Sequence, residues 1–70
     1  MSTKVKTEVI NNYRKENNLT VEQFCQKCNI SKSAYYKFMN NQIDKVKISV
    51  LYNIAVTLNV LCKYLLDYDD

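Results

Sequence analysis

Thr20 and Ser31 each stand where a helix begins, and the stretch between them has room for one helix of about two turns and a tight corner. Gln23 follows Thr20 by three residues, a capping box in which each side chain can satisfy the other's backbone N–H. Ser31 opens the next helix as its N-cap. Leu19 with Phe24, and Ile30 with Tyr35, occupy the staple positions at the two helix starts. Helices this close in sequence must bend sharply on one another, and the bend needs a residue that tolerates positive φ; Asn29 is the best placed. The stretch therefore predicts a helix from about Val21 to Cys28, a corner, and a helix from about Lys32 to Met39.

The spacing also sorts the side chains of that pair into two faces. Phe24, Cys25, Cys28, Ile30, Tyr35 and Phe38 fall on one shared face inside the angle. Ser33, Tyr36, Lys37 and Asn40 form an i, i+3, i+4, i+7 stripe on the outside, with Lys32 beside it. Of Tyr35 and Tyr36, one must point inward and the other outward. An outward aromatic on a basic face is less expected from folding alone, whereas Lys32 and Lys37 by themselves can be solubilising charge.

Composition enters as a limit on the alternatives. A chain of 70 residues is expected to form one domain over residues 1–70, with 1–3 and 67–70 as frayed ends. It contains no Gly and no Pro, which argues against a turn-rich β fold and favours an all-α architecture with short connections. All ten Lys and Arg lie within residues 1–63 against Glu8, Glu16, Glu22 and Asp44, a net of +6, while Asp67, Asp69 and Asp70 bring the whole chain to +3. A basic body of this kind suits an anionic partner such as nucleic acid, and an acidic tail should keep clear of the binding face. The plainer reading is a solvated surface with incidental asymmetry.

No apolar run has the length of a membrane span, and the N-terminus lacks the apolar core of a signal peptide, so a cytoplasmic protein without membrane contact is expected. Cys25, Cys28 and Cys62 are read as reduced core thiols; with no His in the chain, a four-ligand zinc site and any metal are not expected. Neither a cofactor nor a small-molecule ligand is indicated. The chain also lacks a visible base for a catalytic Cys, usefully spaced paired carboxylates and a phosphate-cradling Gly loop, so it is not expected to be an enzyme.

Taken in order, Val5, Val9, Ile10 and Tyr13 recur at helical spacing and predict helix 1 from Thr3 to about Asn17, with Asn17-Asn18 as its corner. Asn40-Asn41-Gln42 reads as a loop. Val46, Ile48 and Val50 alternate with Lys45, Lys47 and Ser49 in the manner of a strand, but a lone strand has nothing to pair with. Helix 4 is expected to start anywhere from Asp44 to Ser49 and to end near Leu58, with a core stripe of Leu51, Ile54, Ala55 and Leu58 and with Asn59 beyond its end. A short helix 5 from about Leu61 to Leu66 would add Leu65 and one or two of Leu61, Cys62 and Leu66 to the core or to an interface.

The residues Leu19-Thr20, Cys25, Asn29 and Ser31, with Ile10 to Arg14 upstream and Ile54 to Val60 downstream, resemble the lambda-repressor-like, Cro-like (XRE-type) helix-turn-helix regulators of phages and bacteria. The family usually carries Gly where Asn29 and Asn41 stand and Ala where Cys25 stands. It often carries a Glu in place of Met39 that pairs with the counterpart of Arg14, so Arg14 needs another partner or must reach solvent.

The resemblance implies a compact five-helix bundle whose helices 2 and 3 form the helix-turn-helix, and a repressor of transcription that occupies a palindromic site on double-stranded DNA. A helix entering the major groove would read bases with Lys32, Ser33, Tyr36 and Lys37. Phosphates would be met by Thr20 and Val21 at the start of helix 2 and by Asn40, Asn41, Gln42, Lys45 and Lys47 after helix 3. Pairing on two half-sites implies a homodimer, for which Tyr64, Leu65, Leu66 and Tyr68 are the remaining candidates unless they simply finish the core. The alternative is a protein-binding module of the same fold, an antirepressor or adaptor that does not bind DNA.

Overall fold

The computed structural model describes residues 3–68, with the backbone alone at Thr3 and Tyr68. The elements run β1 (Thr3–Val5), α1 (Thr7–Glu16), α2 (Val21–Cys28), α3 (Lys32–Met39), a 3-10 turn (Ile43–Lys45), α4 (Ile48–Leu58), a second 3-10 turn (Cys62–Leu65) and β2 (Leu66–Tyr68). Helix dominates, as expected, but there are four α-helices rather than five among the described residues. The bounds expected for the second and third helices match those observed.

All four helices end in the same way. Among the described residues, Asn18, Asn29, Asn41 and Asn59 are those at positive φ, between 53° and 64°. Each donates its own N–H back to a carbonyl three residues earlier, while the residue after it donates to a carbonyl five residues earlier: Leu19 to Arg14, Ile30 to Cys25, Gln42 to Lys37 and Val60 to Ala55. These are Schellman closures, which satisfy carbonyls that the helix itself leaves open. A chain without Gly has assigned the left-handed position to Asn each time, the L-residue that best tolerates it. Leu19, Ile30 and Val60, the residues just past the Asn, pack against the core as apolar stops.

The expectations that fail do so at the chain ends. Val5 fits the helix 1 stripe by spacing, yet it is buried from an extended strand, and α1 begins only at Thr7. β1 pairs antiparallel with β2, with Thr3 opposite Tyr68, Lys4 opposite Asp67 and Val5 opposite Leu66. Thr3, Asp67 and Tyr68, expected among the frayed ends, are thus tied into a small sheet; residues 1, 2, 69 and 70 lie outside the described ones. The Lys6 N–H extends the pairing to the Leu65 carbonyl at 2.8 Å. Opposite charges at Lys4 and Asp67 favour this register.

The same pairing explains the missing fifth helix. Leu61 to Leu66 becomes one 3-10 turn and then a strand, because Leu65 enters the core at 0% exposure while Leu66 takes its place beside Val5. Hydrogen bonding across the sheet replaces the intrahelical bonds that so short a helix would make.

The core is built on Ile10, Phe24, Phe38, Ile54 and Leu65, with Cys25, Cys28, Tyr35, Val50 and Ala55 around them. Leu51 and Leu58, expected in the α4 stripe, are half-buried beside it; Val50 is the deeper residue. The strand-like alternation at Val46 to Val50 has a local cause. Val46 and Lys47 are extended, with Lys47 as the α4 N-cap, so Val46 and Val50 turn inward while Ile48 is left 84% exposed on the first turn.

Candidate nucleic-acid interface

α2 and α3 meet at the corner that the caps predict. The Thr20 N–H donates to Gln23 Oε1 at 2.9 Å and the Gln23 N–H to Thr20 Oγ1 at 3.1 Å, completing the capping box. Ser31 Oγ accepts from the Ala34 N–H at 3.0 Å. Asn29 supplies the bend at φ 58°, ψ 46°. Two helix starts and one left-handed residue therefore set the turn from α2 into α3.

Tyr35 turns inward and is buried, and Tyr36 turns outward at 52% exposure. Edge-to-face contacts link Tyr13, Phe24, Tyr35 and Tyr36 in series, with ring centroids 6.0, 5.8 and 5.3 Å apart. The outward ring thus stands on a column of aromatics that reaches back to α1. Lys32, Ser33, Lys37 and Asn40 are exposed around it. Lys32 Nζ lies 3.9 Å from Glu22 Oε1, both side chains well exposed, an ion pair weak enough to exchange for another anion.

Arg14, left without a carboxylate by Met39, turns toward α3. Its guanidinium lies beside the Tyr35 hydroxyl, which burial raises above the ordinary phenol pKa against the pull of that cation. Arg14 Nε itself is buried without a hydrogen-bond partner. Burial also pushes the Cys25 thiol up, opposed by Lys32 and Arg14, and the Cys28 thiol up, opposed by the Thr57 hydroxyl. Both thiols are free and buried in the core.

The residues assigned to bases and to phosphates are partly brought together. Ser33 and Lys37 of α3 share an open groove of about 340 Å³ with Lys45, Lys47 and, from the first turns of α4, Ser49 and Asn53. Among the described residues, no acidic side chain lines it. Ser49 and Asn53 escape sequence reasoning because the start of α4 cannot be placed from the residues alone; with Lys47 as N-cap, their side follows from helical spacing.

The remaining phosphate candidates are less uniform. Asn40 and Gln42 are exposed but do not line the groove. Asn41 is held for a structural purpose: its Oδ1 accepts from the Val5 N–H at 2.7 Å, tying the end of α3 to β1. At the start of α2 the capping box occupies the Thr20 N–H, so the N–H groups left for an anion are those of Val21 and Glu22, next to the Glu22 carboxylate.

Among the candidates for pairing, Leu65 is wholly buried within its own chain and is a core residue. Leu66 is half-buried, and Tyr64 is 51% exposed with Lys6 Nζ 5.0 Å above its ring. Tyr68 is placed by its backbone only.

No curated protein and no solved structure matches the chain. Among the described residues, no helix is long and apolar enough to cross a membrane. A family model described as a helix-turn-helix domain matches residues 7–69, from the first residue of α1 to beyond β2. With the corner, its caps and the exposed third helix in place, the chain belongs to the Cro-like, XRE-type helix-turn-helix family of DNA-binding regulators.

Proposed function

We propose that the protein is a sequence-specific regulator of transcription, a repressor that occupies a palindromic operator as a homodimer with α3 in the major groove. One observation carries the reading: among the described residues the outward side of α3 is left exposed, and its Ser33 and Lys37 run into a groove with Lys45 and Lys47 whose lining contains no acidic side chain. A lysine ammonium can donate to guanine O6 and N7, and the Tyr36 ring can lie on a thymine methyl. Lys32 and Ser33, in the first turn, would reach bases nearest the helix N-terminus. Lys45 and Lys47 would hold the phosphate backbone and set register without reading sequence. Half-sites about 34 Å apart would match the two-fold pairing of such domains.

Mobility of duplex DNA in a gel at several salt concentrations tests this. The native chain should retard duplex with an affinity that falls steeply with salt. Lys32→Ala with Lys37→Ala should weaken specific binding by about tenfold or more for each lysine that reads a base, with the helical signal unchanged. Absence of retardation even at low salt would overturn the reading and leave the protein-binding alternative, an antirepressor or adaptor.

A further inference from the structure

A hollow of about 270 Å³ lies where α1 and α4 end. Glu16 is the last residue of α1 and Leu58 the last of α4, and both line it, with Val60 just beyond α4. Tyr13 and Tyr64 give it two aromatic walls, and Val9 and Asn12 complete it from α1. Among the described residues no basic side chain lines it, the reverse of the lysine groove beside α3.

Its polar features all favour positive charge. The negative poles of the α1 and α4 dipoles act within the last turn of each helix, and both last turns border the hollow. The Glu16 carboxylate is exposed and makes no ion pair among the described residues. Tyrosine rings attract a cation placed over their faces. The molecule already does this once: the Lys6 ammonium sits 5.0 Å above the Tyr64 ring, while Lys6 itself stays outside the hollow lining. Tyr13 is held by its edge-to-face contact with Phe24, so this wall is formed before any ligand arrives. Val9, Leu58 and Val60 offer apolar surface to a carbon chain.

We infer that this hollow binds a small organic cation, an alkylammonium whose charged head is shared by Glu16 and the two tyrosine rings and whose short carbon chain runs along Val9, Leu58 and Val60. A neutral apolar ligand would leave the carboxylate and both helix ends idle, and an anion would be repelled by them. The volume falls just below the roughly 300–1,000 Å³ of small-molecule pockets, which suits a chain of a few carbons rather than a segment of another protein. Tyr64, a candidate for pairing, serves a ligand here instead. The site uses none of the α3 face or its groove and does not rest on the DNA-binding reading.

Titration of the full chain with n-butylammonium chloride, at constant ionic strength and without DNA, tests it through the amide NMR shifts. Saturable shifts are expected at Tyr13, Glu16, Leu58 and Tyr64, with n-butanol, the same chain without charge, weaker by about tenfold or more. Glu16→Gln should weaken the ammonium by about tenfold. Tyr64→Leu should weaken it by about threefold. Both positions are exposed, so the fold should survive either change. Shifts that do not saturate, equal binding of butanol, or binding unchanged in Glu16→Gln would overturn the inference. Nα-acetyl-lysine methylamide carries the same ammonium chain on a peptide backbone and should bind no better than butylammonium. Much tighter binding would assign the hollow to a partner protein's lysine and overturn the small-ligand reading. If Tyr64→Leu disturbs the fold, Glu16→Gln and the butanol comparison decide. None of these outcomes changes what the gel experiment reports about α3.

Discussion

α3 and α4 each leave a tyrosine in water, Tyr36 at 52% and Tyr52 at 61% exposure, yet the two surfaces have opposite chemistry. Tyr36 stands among Lys32, Ser33 and Lys37, next to a groove with two further lysines. Tyr52 stands between Ile48 and Val56 on a helix without charge. An exposed aromatic is therefore not informative until its neighbours are known. Ringed by cations, it suits a polyanion with flat apolar edges; ringed by aliphatic side chains, it suits another apolar face. Because Ser49 and Asn53 on the flank of α4 line the groove with Lys37, the two surfaces are neighbours on one small body.

The largest expected effect tests whether the C-terminal segment is core or surface, and so where the boundary between the two faces lies. Leu65→Ala should destabilise the fold by about 2–5 kcal/mol, because a fully buried leucine is removed from a small core. Thermal unfolding checks this, and the destabilisation should be the same at low and high protein concentration. A destabilisation that appears only where the chain is associated would return Leu65 to an interface.

Next in size, the double change Lys45→Ala with Lys47→Ala should weaken binding to all duplexes alike and reduce the salt dependence by about one released counterion per lysine. Binding to specific and random duplex at stepped salt measures both quantities. A change confined to one sequence would make these lysines base readers and blur the division of labour between α3 and the segment after it.

The smallest effect concerns the corner that aims α3. Asn29→Gly should leave stability level or raise it by up to about 1 kcal/mol, since Gly accepts the left-handed conformation more readily than Asn. Asn29→Ala should lower it by about 1–2 kcal/mol, the penalty of a Cβ at positive φ. Chemical denaturation of the two variants side by side gives the comparison. Equal stability of Gly and Ala at this position would contradict the strain assigned to it.

How much of the fold is legible in the sequence follows from whether the determinants are local. α2 and α3 have both ends written nearby, in Thr20, Gln23, Asn29, Ser31 and the asparagines past α3, and their bounds match. The start of α4 has no side-chain cap, so sequence leaves a window of starts that only the extended Val46-Lys47 pair closes. β1 and β2 are three residues each, from opposite ends of the chain, and their only sequence trace is a valine that also suits a helical stripe.

The candidate site divides in the same way. Exposure of Lys32, Ser33, Tyr36 and Lys37 follows from spacing within one helix. The grouping of Lys37 with Lys45, Lys47 and Ser49, and the capture of Asn41 by Val5, depend on packing between segments.

Selection of bound sequences from a random duplex pool, run with the native chain and with Tyr36→Ala and Ser33→Ala, puts the role of α3 to the most direct test. The native chain should enrich a two-fold symmetric motif, and each substitution should relax it at the positions its side chain reads while leaving the rest. A pool that shows no enrichment, or one motif unchanged in all three proteins, would contradict the assignment of the α3 face to base recognition.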